Sequence, residues 1–162
     1  MWRKSVSRQS SFPSVWNLEA YMEHYRKLER MYSKAPINEF FEPKLIIGEG
    51  RAEIRIDVQE KFHHTAGAMH GSVYFKALDD ATFFAANSLV TDVFVLTASF
   101  EIEFLRPVVK GEIKAIAHVT GQNERRIMAE AELFDTHDNV VGRGRGQFAK
   151  SKTKLTPHVQ YL

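Results

Sequence analysis

The chain has 162 residues, no cysteine, 44% hydrophobic and 26% charged residues, and a formal net charge of +2. That length suits one ordinary domain, able to bury roughly two-thirds of the surface of its unfolded chain without covalent staples. The lack of cysteine excludes a disulfide framework, a thiolate nucleophile and any Cys-containing zinc site. The near-balance of 22 Lys and Arg against 20 Asp and Glu argues against a dedicated nucleic-acid binder.

The charge is unevenly spread. No acid precedes Glu19 and none follows Asp138, so both ends are basic and the middle is acidic. The start, MWRKSVSRQSSFPS, is rich in Arg and Ser but has no apolar stretch suited to a secretory signal. No run approaches the roughly 20 apolar residues of a membrane span, and a soluble, cytoplasmic protein is expected.

After Pro13, the spacing of Leu18, Tyr21, Met22, Tyr25, Leu28 and Tyr32 predicts an amphipathic helix, capped by Asn17 and stopped by Ala35-Pro36. Ile37, Phe40 and Phe41 suggest one extra turn before Pro43. Lys44 to Ile47 and Arg51 to Val58 flank Gly48-Glu49-Gly50 and predict a hairpin, the second strand alternating Ala52, Ile54, Ile56, Val58 with charged residues. A loop, Gln59 to Met69, leads into a helix over about Gly71 to Ser88, whose apolar residues surround it and imply burial on most sides. Four strands follow: Val93 to Phe104, Glu112 to Thr120, Ile127 to Asp135 and Val140 to Phe148. Arg106-Pro107, Gly121-Gln122-Asn123 and His137-Asp138-Asn139 supply their turns. The order predicts an α+β fold, an antiparallel sheet around one buried helix. The expected organisation is an N-terminal extension over 1–36, one domain over 37–150 and a basic tail over 151–162.

Two features stand out against this frame. Asp79-Asp80 lies inside the apolar helix, where an unpartnered carboxylate costs several kcal/mol. Lys76 can pair with Asp79 at i+3 or Asp80 at i+4. Neighbouring helix residues diverge by about 100°, so one acid is expected beside Lys76 and the other toward a packed surface or cleft. The second feature is the loop His63-His64-Thr65-Ala66-Gly67-Ala68-Met69-His70-Gly71, which runs into the helix N-terminus, where free N–H groups can hold a developing oxyanion. Gly71 and Asp79 stand roughly 12 Å apart along one helix. If both act on one carbonyl they must come from two copies of the chain, which predicts a dimer with shared sites.

Other chemistries lack motifs. There is no G-x-S-x-G elbow, P-loop or H-E-x-x-H sequence. His63, His64 and His70 have no acid or Cys within their loop, so no metal is expected. The glycines of Gly142-Arg143-Gly144-Arg145-Gly146 suit the close approach of another backbone or a ligand.

His70-Gly71-Ser72 opening a helix with Leu78-Asp79-Asp80-Ala81, followed by Phe104-Leu105-Arg106-Pro107, resembles the hotdog-fold acyl-CoA thioesterases of the PaaI-like type. Ile37-Asn38-Glu39-Phe40-Phe41 and Gly48-Glu49-Gly50-Arg51-Ala52 match the same family's opening, and the similarity covers roughly Ile37 to Ala149. The resemblance implies hydrolysis of an acyl-CoA thioester, with Asp79 as general base or nucleophile and the Gly71 N–H on the thioester oxygen. It places Thr97 where relatives orient water with a hydroxyl, His64 where they often have Asn, and Ser72 where they have a second glycine. His70, Ser72, Arg106, Arg143 and Arg145 become candidate substrate contacts, the three arginines for the nucleotide. It also implies a double-hotdog dimer, often paired into a tetramer, and no cofactor beyond the coenzyme A of the substrate. Two other activities suit such a chain: a non-catalytic acyl-CoA-binding module, and an enoyl-thioester hydratase or dehydratase using His63, His64 or His70 with an acid.

Overall fold

The computed structural model describes residues 15–162, with the side chains of residues 15–17 excepted. The basic segment before Val15 therefore lies outside the described residues. Two helices lead the chain, α1 (Val15–Ser33) and the single turn α2 (Asn38–Phe41), then the hairpin strands β1 (Lys44–Gly48) and β2 (Arg51–Asp57). A 3-10 turn at Glu60–Phe62 precedes α3 (Gly71–Asn87), after which come β3 (Val93–Phe104), β4 (Glu112–Gln122), β5 (Ile127–Phe134) and β6 (Val140–Lys154). The strands form one antiparallel sheet in the order β1-β2-β4-β5-β6-β3.

The sheet wraps α3 because its inner face is built from small side chains. Ala52, Ala115, Ala117, Ala129 and Ala131 are buried, and they oppose Ala77, Ala81 and Ala85 of the helix. Larger residues, Ile54, Ile56, Ile113, Leu133 and Phe148, fill the space around them. In β6 the glycines make close approach possible: a Cβ on Gly142 would lie 3.3 Å from the Tyr74 ring, and one on Gly144 would lie 3.2 Å from Leu78 Cβ. What comes close is mainly side chains rather than a ligand: Tyr74 and Leu78 of α3 over Gly142 and Gly144, and the rings of Phe100 and Phe148 over Gly144 and Gly146, with the Glu103 carbonyl the one backbone group, beside Gly142. Because strand side chains alternate, Arg143 and Arg145 then point to the outer face of the sheet.

β4 runs two residues past expectation, taking Gly121 and Gln122 from the expected turn, and two boundaries differ by three residues or more. The first helix begins at Val15, so Asn17 is within it and is no cap. β6 runs on to Lys154, because β3 is long enough to pair with it as far as Val93↔Lys154. The chain end is also tied down: Tyr161 Oη lies 2.7 Å from Nδ1 of the buried His24 in α1. His24 Nε2 lies 3.0 Å from the Asn87 carbonyl at the end of α3 and donates to it, so Nδ1 accepts from the tyrosine. Burial also lowers the proton affinity of His24, in keeping with this neutral form. Among the described residues no helix is long and apolar enough to cross a membrane.

Candidate active site

The acids Asp79 and Asp80 are divided by the helix as the 100° step requires. Asp80 turns toward α1, where Tyr32 Oη donates to its Oδ2 at 2.6 Å and Lys76 Nζ donates to the same oxygen. The Lys76 ammonium rests over the rings of Tyr32 and Phe41, 5.0 and 5.7 Å from their centroids. Asp79 turns toward β3 and has one hydrogen-bond partner among the described residues, the Thr97 hydroxyl, which donates to Oδ1 at 3.0 Å. Burial pushes the Asp79 carboxyl up to about 6; the Thr97 hydrogen bond opposes this, Asp80 adds to it and Lys76 opposes it. A carboxylate so placed accepts a proton near neutral pH better than an ordinary aspartate does.

A kink in β3 puts Thr97 there. Thr97 pairs with Phe148 and Ser99 with Gln147, so Ala98 is the extra residue of a bulge. The bulge switches the alternation of the strand. Val95 and Thr97 face the helix before it, and Phe100 faces the helix after it, where its ring meets Phe75 edge-on at 5.3 Å. A strand with unbroken alternation would turn either Thr97 or Phe100 outward. Nothing in the sequence around Ala98 marks this bulge.

Phe75 and Phe83 lie one turn to either side of Asp79 on α3. Phe75 is 43% exposed, whereas Tyr74, Phe84 and Met69 belong to the buried core.

The N-terminus of α3 forms a second locus. His70 is its N-cap, with extended backbone and Nδ1 accepting the Ser72 N–H at 3.0 Å; the Ser72 hydroxyl lies 2.8 Å from the same nitrogen. The Gly71 N–H has no acceptor among the described residues. A Cβ at Gly71 would sit 3.1 Å from the Phe104 ring, so glycine lets this ring close over the helix start. His64, Gly71, Tyr74, Phe104 and Arg106 line a cleft of about 370 Å³ here. Gly71, His64 and Arg106 are thus brought together, while Asp79 is about two turns farther along α3.

Arg143 and Arg145 stand apart from both loci. On the outer sheet face Arg143 bonds Glu132 at 3.0 Å and Arg145 bonds Glu101 at 2.8 Å. Glu103 and Glu130 line the same concavity, so this surface carries more acid than base and is poorly suited to phosphates. The three loop histidines are each engaged with the chain. His63 Nε2 bonds the Val109 carbonyl, His64 Nδ1 accepts from the Ala66 N–H, and His70 caps α3. None meets an acid, and no group of three or more metal-binding side chains converges among the described residues.

Comparison with known proteins bears on the fold and on the family that the chain resembles. The thioesterase superfamily model matches residues 66–141, which span the His70-Gly71 turn, α3, β3 and the two strands after it. Two proteins of Saccharolobus solfataricus, each named "putative esterase", are similar to the chain. One is 26% identical over 80% of this chain and 94% of its own length, the other 25% identical over 67% and 75%. Among solved structures, the PaaI protein of the E. coli phenylacetic acid degradation operon superposes with a TM-score of 0.76 at 20% identity, covering 84% of this chain and 99% of that one. A conserved protein of Pseudomonas aeruginosa gives 0.70 at 27% identity, over 75% and 98%. The chain thus has the hotdog fold of these structures and, over residues 66–141, is similar in sequence to the thioesterase superfamily.

Proposed function

We propose that the protein hydrolyses an acyl-CoA thioester to a free acid and CoA. The observation that carries this reading is Asp79: a half-buried carboxylate of raised proton affinity, hydrogen-bonded on one oxygen by Thr97 and free of Lys76. Thr97 on Oδ1 leaves Oδ2 for a water. Asp79 takes a proton from that water as the water oxygen attacks the thioester carbonyl, and the negative charge moves to the carbonyl oxygen. The Gly71 N–H meets that oxyanion. The tetrahedral species then breaks its C–S bond and releases the CoA thiolate, which takes up the proton held by Asp79. Direct attack by Asp79, through a mixed anhydride that water later opens, uses the same groups.

One copy cannot bring Gly71 and Asp79 to the same carbonyl, since they lie eight residues apart on one straight helix. The reading therefore includes a homodimer in which each site takes Gly71 from one copy and Asp79 from the other. Its support is β3, a 12-residue strand at the end of the sheet with Leu96 and Phe104 more than half exposed, a form of edge that soluble proteins seldom leave uncovered. This geometry needs one such dimer and not a pair of them. Arg106, in the cleft beside Gly71, is the basic side chain placed to meet the CoA phosphates, with His64 and Ser72 nearby. The reading needs no cofactor beyond the CoA of the substrate and suits a cytoplasmic setting, where CoA esters occur.

The test is hydrolysis of a panel of acyl-CoA esters by the wild type and Asp79→Asn. Turnover falling by about 10²-fold or more supports the assignment; a fully active variant overturns it. A protein that binds CoA esters without turning them over would be a binding module.

A further inference from the structure

Lys76 has two carboxylates within reach, Asp79 at i+3 and Asp80 at i+4, and a flexible stem that can serve either. It serves Asp80, and three groups outside α3 share in that choice. The Tyr32 hydroxyl donates to Asp80 Oδ2, the very oxygen that Lys76 uses, and so fixes the carboxylate on the α1 side of the helix. The rings of Tyr32 and Phe41 lie beneath the ammonium group at 5.0 and 5.7 Å. Tyr32 is itself held firmly: it is 6% exposed, its ring meets Phe84 edge-on at 4.9 Å, and its carbonyl accepts from Asn38 Nδ2 at 2.7 Å.

We propose that Tyr32 is a positioning residue for the active site, holding Lys76 on Asp80 and thereby withholding it from Asp79. The inference rests on the hydrolytic reading for its purpose, although the geometry it concerns is independent of turnover. It also gives α1, which precedes the matched family region, a role at the catalytic carboxylate. Were Lys76 to bond Asp79, the carboxylate would be a salt-bridge partner. An adjacent cation lowers a carboxyl pKa by about 1 to 3 units and weakens it as a base. The charged and titratable groups that face Asp79 are Lys76 and Asp80 of α3 and Tyr32 of α1, while β3 contributes the neutral Thr97 hydroxyl.

The experiment follows the Asp79 carboxyl by 13C NMR titration and the acidic limb of the kcat/KM profile in the full chain, for the wild type, Tyr32→Phe, Lys76→Met and the double variant. Tyr32→Phe keeps the ring and removes the hydroxyl. Asp79 is expected to titrate lower in Tyr32→Phe by about half a unit or more, because Lys76 becomes shared. In the Lys76→Met background the same tyrosine substitution is expected to have no effect. An unchanged or raised Asp79 titration in Tyr32→Phe overturns the proposal, as does an equal shift with and without Lys76. Failure of the hydrolytic reading would appear separately, as an Asp79→Asn variant with full activity, and leaves the NMR result interpretable.

Discussion

Asp79→Asn is expected to make the protein more stable while removing its activity. Burial raises the Asp79 carboxyl from 3.8 to about 6 in the folded state. Between those values the native chain holds a proton that the unfolded chain has released, so stability falls as pH rises through the window and stays lowered above about pH 6. At about 1.4 kcal/mol per unit, the cost at neutral pH is of order 2 to 3 kcal/mol. Asparagine has nearly the same shape, and its side-chain oxygen can keep the Thr97 hydrogen bond, but its amide group must find a partner where the second carboxylate oxygen stood. The net gain is therefore set at about 1 to 2 kcal/mol at pH 7.5. Urea denaturation at fixed protein concentration, at pH 7.5 and again near pH 4, measures it. The gain should vanish near pH 4, where the wild-type carboxyl is protonated in the native state. A variant that is less stable than wild type at pH 7.5, or whose difference from wild type does not change with pH, would refute the account of Asp79 as a carboxylate strained by burial.

Thr97→Val removes a hydrogen bond that holds Asp79 in its ionised form, so the acidic limb of kcat/KM should move upward by about one unit, read from a pH-rate profile. Gly144→Ala should cost about 1 to 3 kcal/mol, seen as a lower denaturation midpoint, because the new Cβ would lie 2.5 Å from the Phe100 ring and 3.2 Å from Leu78 Cβ. Arg106→Ala should raise KM for a CoA ester about 3- to 10-fold with kcat little changed, whereas Arg143→Ala and Arg145→Ala, which break exposed pairs with glutamates, should alter KM less than about twofold in steady-state assays. His70→Ala should lose about 1 kcal/mol of stability with the helix cap, and His70→Asn should restore most of it in the same denaturation assay.

Much of the architecture is legible from local pattern alone. Alternation in Ala52, Ile54, Ile56 and Val58, the all-round apolar surface of α3 and the turn residues between strands are enough to predict the element order and a sheet around one helix, because each follows from the period of its own backbone. The anomaly of two acids in a buried helix is equally visible, since desolvation makes such residues costly wherever the helix packs. The sequence also shows that only one of the two can share the side of Lys76. Which one does so is decided by tertiary contacts, for Tyr32 reaches Asp80 across 48 positions of sequence and no local spacing encodes that meeting. The same holds for the bulge at Ala98, set by register against β6, which turns Thr97 onto Asp79. The placement of Arg143 and Arg145 follows this rule too. Their basic run reads as a phosphate site along the chain, but the neighbouring strands supply Glu132 and Glu101 and compensate it. Sequence by itself determined which residues are costly and which elements carry them; the pairing of distant strands and helices decided which of those charges are neutralised and which one, Asp79, is left able to take a proton.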